Sequence, residues 1–138
     1  MRPPWRLAAA CTLALGPLCV MTAHGAGVCP VLDSRHWHAW IDRPTEASRP
    51  ARLHVRGQID MPTPGYAETF TPGPMDRRSP PTLRIRLEAT APEGIVLQVI
   101  DTRDVAFSLE TEILQYRAVL IMCGDQTLAE MLDVTPLE

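Results

Sequence analysis

Hydrophobic and polar side chains alternate between Leu53 and Met61. Leu53, Val55, Ile59 and Met61 share one face with Gly57 between them, and His54, Arg56, Gln58 and Asp60 share the other. This period of two predicts a half-buried strand, and Pro62-Thr63-Pro64-Gly65 must turn it. The same alternation recurs from Thr82 to Thr90, with Leu83, Ile85, Leu87 and Ala89 inward and Arg84, Arg86 and Glu88 outward. Val31–Ile41 places Trp37, Ala39 and Ile41 on one face and His36, His38 and Trp40 on the other, and Asp42-Arg43-Pro44 ends it. Thr45–Pro50 reads as a loop. Tyr66, Glu68 and Phe70 alternate with Ala67, Thr69 and Thr71, which suits a short edge strand.

Two runs are nearly all apolar. Ile95–Ile100, after the turn Ala91-Pro92-Glu93-Gly94, and Tyr116–Cys123, before Gly124-Asp125, both read as central strands. Val105, Phe107 and Leu109 form a further alternating piece, followed by one helical turn over Glu110–Leu114. Thr127–Val134 suits either a strand or a short helix, and the Cys-Gly-Asp turn before it favours a hairpin onto Tyr116–Cys123. The prolines punctuate this pattern: six of the 14 lie between Pro62 and Pro81, and Pro72–Pro81 is expected to be an irregular connection.

About seven or eight mostly antiparallel strands with no long 3.6-residue period predict an all-β fold, a single β-sandwich. An immunoglobulin-like topology is one candidate. Its signature is incomplete, because the Cys separation is too long, the tryptophan sits early, and Tyr116 stands seven residues before Cys123 rather than two.

The first residues change the picture of where the chain works. Met1–Arg6 is short and basic, Leu7 to about Thr22 is apolar, and Ala23, Gly25 and Ala26 are small. That order predicts a signal peptide over residues 1–25, cleaved near 23–26, ahead of one domain over 26–138. A retained membrane span is the weaker reading, since the run is only about 15 residues and contains Gly16 and Pro17. A lipid anchor is disfavoured: no hydrophobic segment precedes Cys11, and bulky residues stand before Cys19 and Cys29. The localisation expected is periplasmic or secreted, with no membrane span after cleavage.

Cys11 and Cys19 leave with the leader, and Cys29 and Cys123 remain as one expected disulfide. A zinc site is less favoured without a C-x-x-C spacing. All 13 basic residues are arginine. Without Arg2 and Arg6, 11 basic and 16 acidic side chains leave a net charge of −5. A mildly acidic, mixed surface argues against a nucleic-acid partner.

Candidate chemistry is sparse. His36 and His38, at i and i+2 on a strand, would point the same way about 6.6–7 Å apart, and both could ligate copper or zinc. His54, Met61 and Met75 could add ligands, while Trp37 and Trp40 explain the same segment as packing. There is no G-x-S-x-G, no H-E-x-x-H and no Gly-rich phosphate loop. None of Ser34, Ser48, Ser79 and Ser108 sits in a nucleophile-like turn beside a histidine. The expectation is a non-enzymatic binding or structural module. Its presenter is Pro62–Pro81, with Tyr66, Phe70, Met75, Arg77 and Arg78 as anchors for an envelope protein partner. The competing role for that segment is to cap a sheet edge.

At PTPGY (62–66), TPGPMDRRSPPT (71–82) and YRAVLIMCGD (116–125) the chain resembles a group of small, exported, uncharacterised bacterial proteins. The resemblance implies a signal peptide, one domain and one Cys pair. It implies no activity or ligand.

Overall fold

β2 (Ala51–Met61) is the middle strand of a three-stranded sheet, between β1 (Asp33–Asp42) and β5 (Asp101–Thr111). Its alternation is what makes this possible: Leu53, Val55, Ile59 and Met61 are all buried, while the intervening polar residues face outward. A second, four-stranded sheet covers that apolar face, in the order β3 (Ala67–Met75), β4 (Thr82–Thr90), β6 (Tyr116–Cys123) and β7 (Gln126–Val134). Leu83, Ile85 and Leu87 of β4 and Val119 and Ile121 of β6 supply its half of the core. The computed structural model describes residues 27–137. The leader expected over 1–25, with its cleavage site near 23–26, Cys11 and Cys19, lies outside the described residues.

All neighbouring strands are antiparallel except β4 and β6, which pair in parallel. The connectivity explains this. The chain leaves β4 for the other sheet, runs back along β5, and returns as β6 in the direction of β4. The parallel β4–β6 pair departs from the mainly antiparallel sheets of an immunoglobulin domain.

The two sides of the sandwich are closed differently. On one, the chain beyond β7 pairs with β1: the Ile41 amide donates to the Thr135 carbonyl (3.3 Å), and the Leu137 amide donates to the Ile41 carbonyl (3.1 Å). On the other, the Arg103 guanidinium bridges the sheets. It donates to the Tyr66 carbonyl (2.8 Å) and Glu68 (2.7 Å) and pairs with Asp101, while Phe70 packs on Phe107 at 5.7 Å. The Cys29–Cys123 disulfide forms, joining the segment before β1 to the end of β6 with a Cα separation of 5.2 Å.

Three sequence expectations are corrected. Ile95–Ile100 is not a buried central strand but part of the connection from β4 to β5, with Ile95, Leu97, Val99 and Ile100 in solvent and Val96 half-buried. Apolarity alone cannot tell a buried strand from a crossover, and here this stretch must pass over the end of the sandwich. The helical turn over Glu110–Leu114 is absent. β5 continues to Thr111, whose Oγ1 accepts from the Ile113 amide (3.0 Å) and pairs with the Tyr116 hydroxyl (2.6 Å), so a side chain closes the turn. The proline-rich stretch is also more regular than expected, since β3 passes through Pro72, Gly73 and Pro74 to Met75 with a register shift between Pro72 and Met75. An edge strand tolerates this, because only one of its sides must feed a ladder.

Candidate functional site

The residues singled out in the sequence fall on two different surfaces. His36, His38 and His54 belong to the outer face of the three-stranded sheet. β1 carries a bulge there: Arg35 pairs with Gln58 and His38 with Arg56, so His36 and Trp37 together oppose Gly57. His36 sits at φ 57°, out of the regular alternation. The expected same-side spacing of His36 and His38 assumed an unbroken strand, and the bulge removes that assumption. Trp37 turns inward over Gly57. His38 remains opposite Arg56.

His54 is already engaged. Its Nδ1 lies 3.0 Å from the Ser108 hydroxyl, and its ring stacks on Trp40 at 5.2 Å and 14°. Arg56 stands 5.6 Å from the same indole. Among the described residues, no group of three or more His, Cys, Asp or Glu side chains converges as a metal site would require. The face is braced by ion pairs: Arg35 grips both oxygens of Asp60 (2.8 and 3.1 Å), and Thr102 donates to the same carboxylate (2.6 Å). The first of these bonds, from Arg35, holds the Asp60 carboxyl below its ordinary range.

Along Pro62–Pro81 the five anchor candidates separate. Tyr66 and Phe70 lean on the core, whereas Met75, Arg77 and Arg78 are exposed. The hairpin between β3 and β4 is closed by Asp76, whose carboxylate accepts from the Thr82 amide (2.9 Å) and the Arg78 amide (3.3 Å). The bond from Thr82 is the main reason its pKa is lowered.

The largest departure from ordinary surface chemistry is elsewhere. At the end of the sandwich where β2 and β4 finish, Ile95, Leu97, Val99 and Ile100 are 106, 76, 53 and 62% exposed. The backbone beneath them is tied down. The Thr63 hydroxyl donates to the Leu97 carbonyl (2.5 Å), and Pro92 packs so closely on Gly65 that a Cβ there would stand 3.0 Å from it. Gly94, at φ 83°, makes the turn into the run. The segment before β1 crosses the same end, from the disulfide at Cys123 to Asp60, whose carbonyl accepts from the Leu32 amide (2.8 Å). It adds exposed Val28 (94%) and Leu32 (57%). A cleft of about 440 Å³ lies beside it, bounded by Val28, Cys29, Arg86, Glu88 and Gly124.

Sequence reasoning found the apolar run but assigned it to the core. The signals against that were local: Pro92 and Gly94 in front, and Gln98 in the middle. Among the described residues, no helix is long and apolar enough to cross a membrane. Compared with known proteins, the chain matches no family model, no curated protein and no solved structure.

Proposed function

We propose that this domain is a non-catalytic docking module of an oxidising compartment outside the cytoplasm, and that the apolar end of the sandwich is its contact surface. The observation that carries the reading is the exposure of Ile95, Leu97, Val99 and Ile100 on a pinned loop. Burying one such side chain is worth about 1.5–3 kcal/mol, so an end that leaves several in water has a strong drive to be covered. A pinned backbone loses little conformational entropy on docking, which preserves more of that drive as affinity. The Cys29–Cys123 bridge, of a kind that persists where thiols are oxidised, and the leader-like residues 1–25 support this choice of compartment. The exposed residues of the β3–β4 hairpin, Met75, Arg77 and Arg78, are a secondary contact for an envelope protein. Their flexible side chains lie at the opposite end of β4.

Site-specific photo-cross-linking in intact cells tests the reading. A photoreactive residue at Leu97 should give a discrete adduct, with protein or with lipid, and one at Arg84 on the outer face of β4 should not. Equal labelling from both positions, or none from either, overturns it.

A further inference from the structure

We infer that what covers the apolar end is the surface of a lipid bilayer, into which the 94–100 loop inserts; this rests on the docking reading above. Three observations lead there.

The first is where the chain enters. Gly27 lies at this end, close enough to Gly124 that a Cβ on the latter would meet the Gly27 carbonyl oxygen. Only Ala23–Ala26 separate Gly27 from the apolar run Leu7–Thr22. Four extended residues span at most about 14 Å. As long as the leader is uncleaved and that run sits in a membrane, the bilayer therefore lies within this reach of Gly27, at the end of the domain that carries Ile95, Leu97, Val99 and Ile100.

The second is shape. Side chains as exposed as Ile95 and Leu97 project from the body instead of lining a groove. A convex apolar tip fits a fluid hydrocarbon without needing a partner carved to receive it. Its residues are aliphatic, with Gln98 the single polar side chain between Gly94 and Ile100.

The third is charge. Glu93 and Asp101 flank the loop, Asp101 is paired with Arg103, and Arg103 is shared with Glu68. Among the described residues, Arg35 and Arg103 at this end are both paired with carboxylates and Arg86 shares its cleft with Glu88, so the tip's attraction is apolar and its surface is a zwitterionic one, unlike a polybasic lipid-binding patch.

The test uses the protein as cells process it, purified and mixed with vesicles of phosphatidylcholine and phosphatidylethanolamine. Cosedimentation is compared for the unaltered protein, for Ile95→Ser/Leu97→Ser/Val99→Ser, and for Leu132→Ser on the outer face of β7. The loop variant should lose at least about tenfold in partitioning, because three apolar side chains no longer enter the lipid. Leu132→Ser should bind as the unaltered protein does. Raising the ionic strength to about 1 M, or adding phosphatidylglycerol, should leave binding unchanged or weaken it only slightly. All substituted residues are exposed, and matching thermal unfolding of the three proteins confirms that each is folded.

Equal partitioning of all three proteins, as a retained leader alone would give, overturns the inference, as does the absence of vesicle binding. So does a dimer in sedimentation that the loop variant abolishes, since the end would then hold a second copy of the chain. If vesicles are not bound while Leu97 cross-links to a protein, the lipid inference fails and the docking module stands. If neither occurs, both fail.

Discussion

The indole of Trp37 occupies the space a side chain at Gly57 would fill: a Cβ built on Gly57 would stand 2.3 Å from Cδ2 and Cε3 of that ring. The bulge that swings Trp37 over β2 and the glycine beneath it are thus one device. Gly57→Ala must displace the ring or undo the bulge, and should cost about 1–3 kcal/mol. Urea unfolding followed by tryptophan fluorescence measures it. A change of less than about 0.5 kcal/mol would show that the ring moves freely.

Trp37 also carries a buried Nε1 that finds no hydrogen-bond acceptor among the described residues. Losing that donor relieves a desolvation cost, so Trp37→Phe should be nearly neutral, within about 1 kcal/mol. Trp37→Ala removes the ring as well and should cost about 3–5 kcal/mol. The gap between the two variants in the same unfolding assay is the quantity to check. Equal losses would mean that the part of the indole that phenylalanine lacks holds the site together.

Asp60 and Asp76 should each contribute to the acid limb of stability. Arg35 and Thr102 hydrogen bonds lower the first, and the Thr82 amide lowers the second. A carboxyl depressed on folding adds stability that is complete above its unfolded pKa and disappears as pH falls through the folded one. Stability should therefore be flat around neutrality and decline below about pH 4. Asp60→Asn should be less stable than the parent at pH 7 and converge towards it in acid. Urea midpoints across that range decide, and parallel curves for the two proteins would exclude Asp60 as a contributor.

The disulfide spans 94 residues of sequence. Closing a loop of that size restricts the unfolded chain, and Cys29→Ser/Cys123→Ser should lose about 2–5 kcal/mol. Reducing the parent protein should reproduce the loss. A double variant as stable as the parent would show that the core alone suffices.

Metal affinity follows from the bulge. With His36 displaced from the alternation and His54 bonded to Ser108, titration with Cu(II) or Zn(II) should reveal no site tighter than about 10 μM. A tighter site abolished by His36→Ala/His38→Ala would restore the paired-histidine reading.

The local pattern determined most of the fold. Period-two alternation identified β2 and β4 and the inward set Val105, Phe107 and Leu109 of β5, because a strand's two faces are written residue by residue. The turn after Cys123 favoured a hairpin of Tyr116–Cys123 with the next strand, and the count of cysteines left after the leader closed Cys29 on Cys123. Tertiary structure decided what depends on neighbours from elsewhere in the chain. His36 leaves the alternation it would share with His38 at a bulge where Trp37 fills the space above Gly57, a glycine on a different strand. Phe70 became a packing residue because β3 met Phe107, and Tyr66, just before β3, leans on the same core. The apolar run Ile95–Ile100 carries the hydrophobicity of a core strand, yet the two sheets are complete without it. Hydrophobicity states what a side chain would gain by burial; only the assembled sandwich determines whether anything is there to bury it.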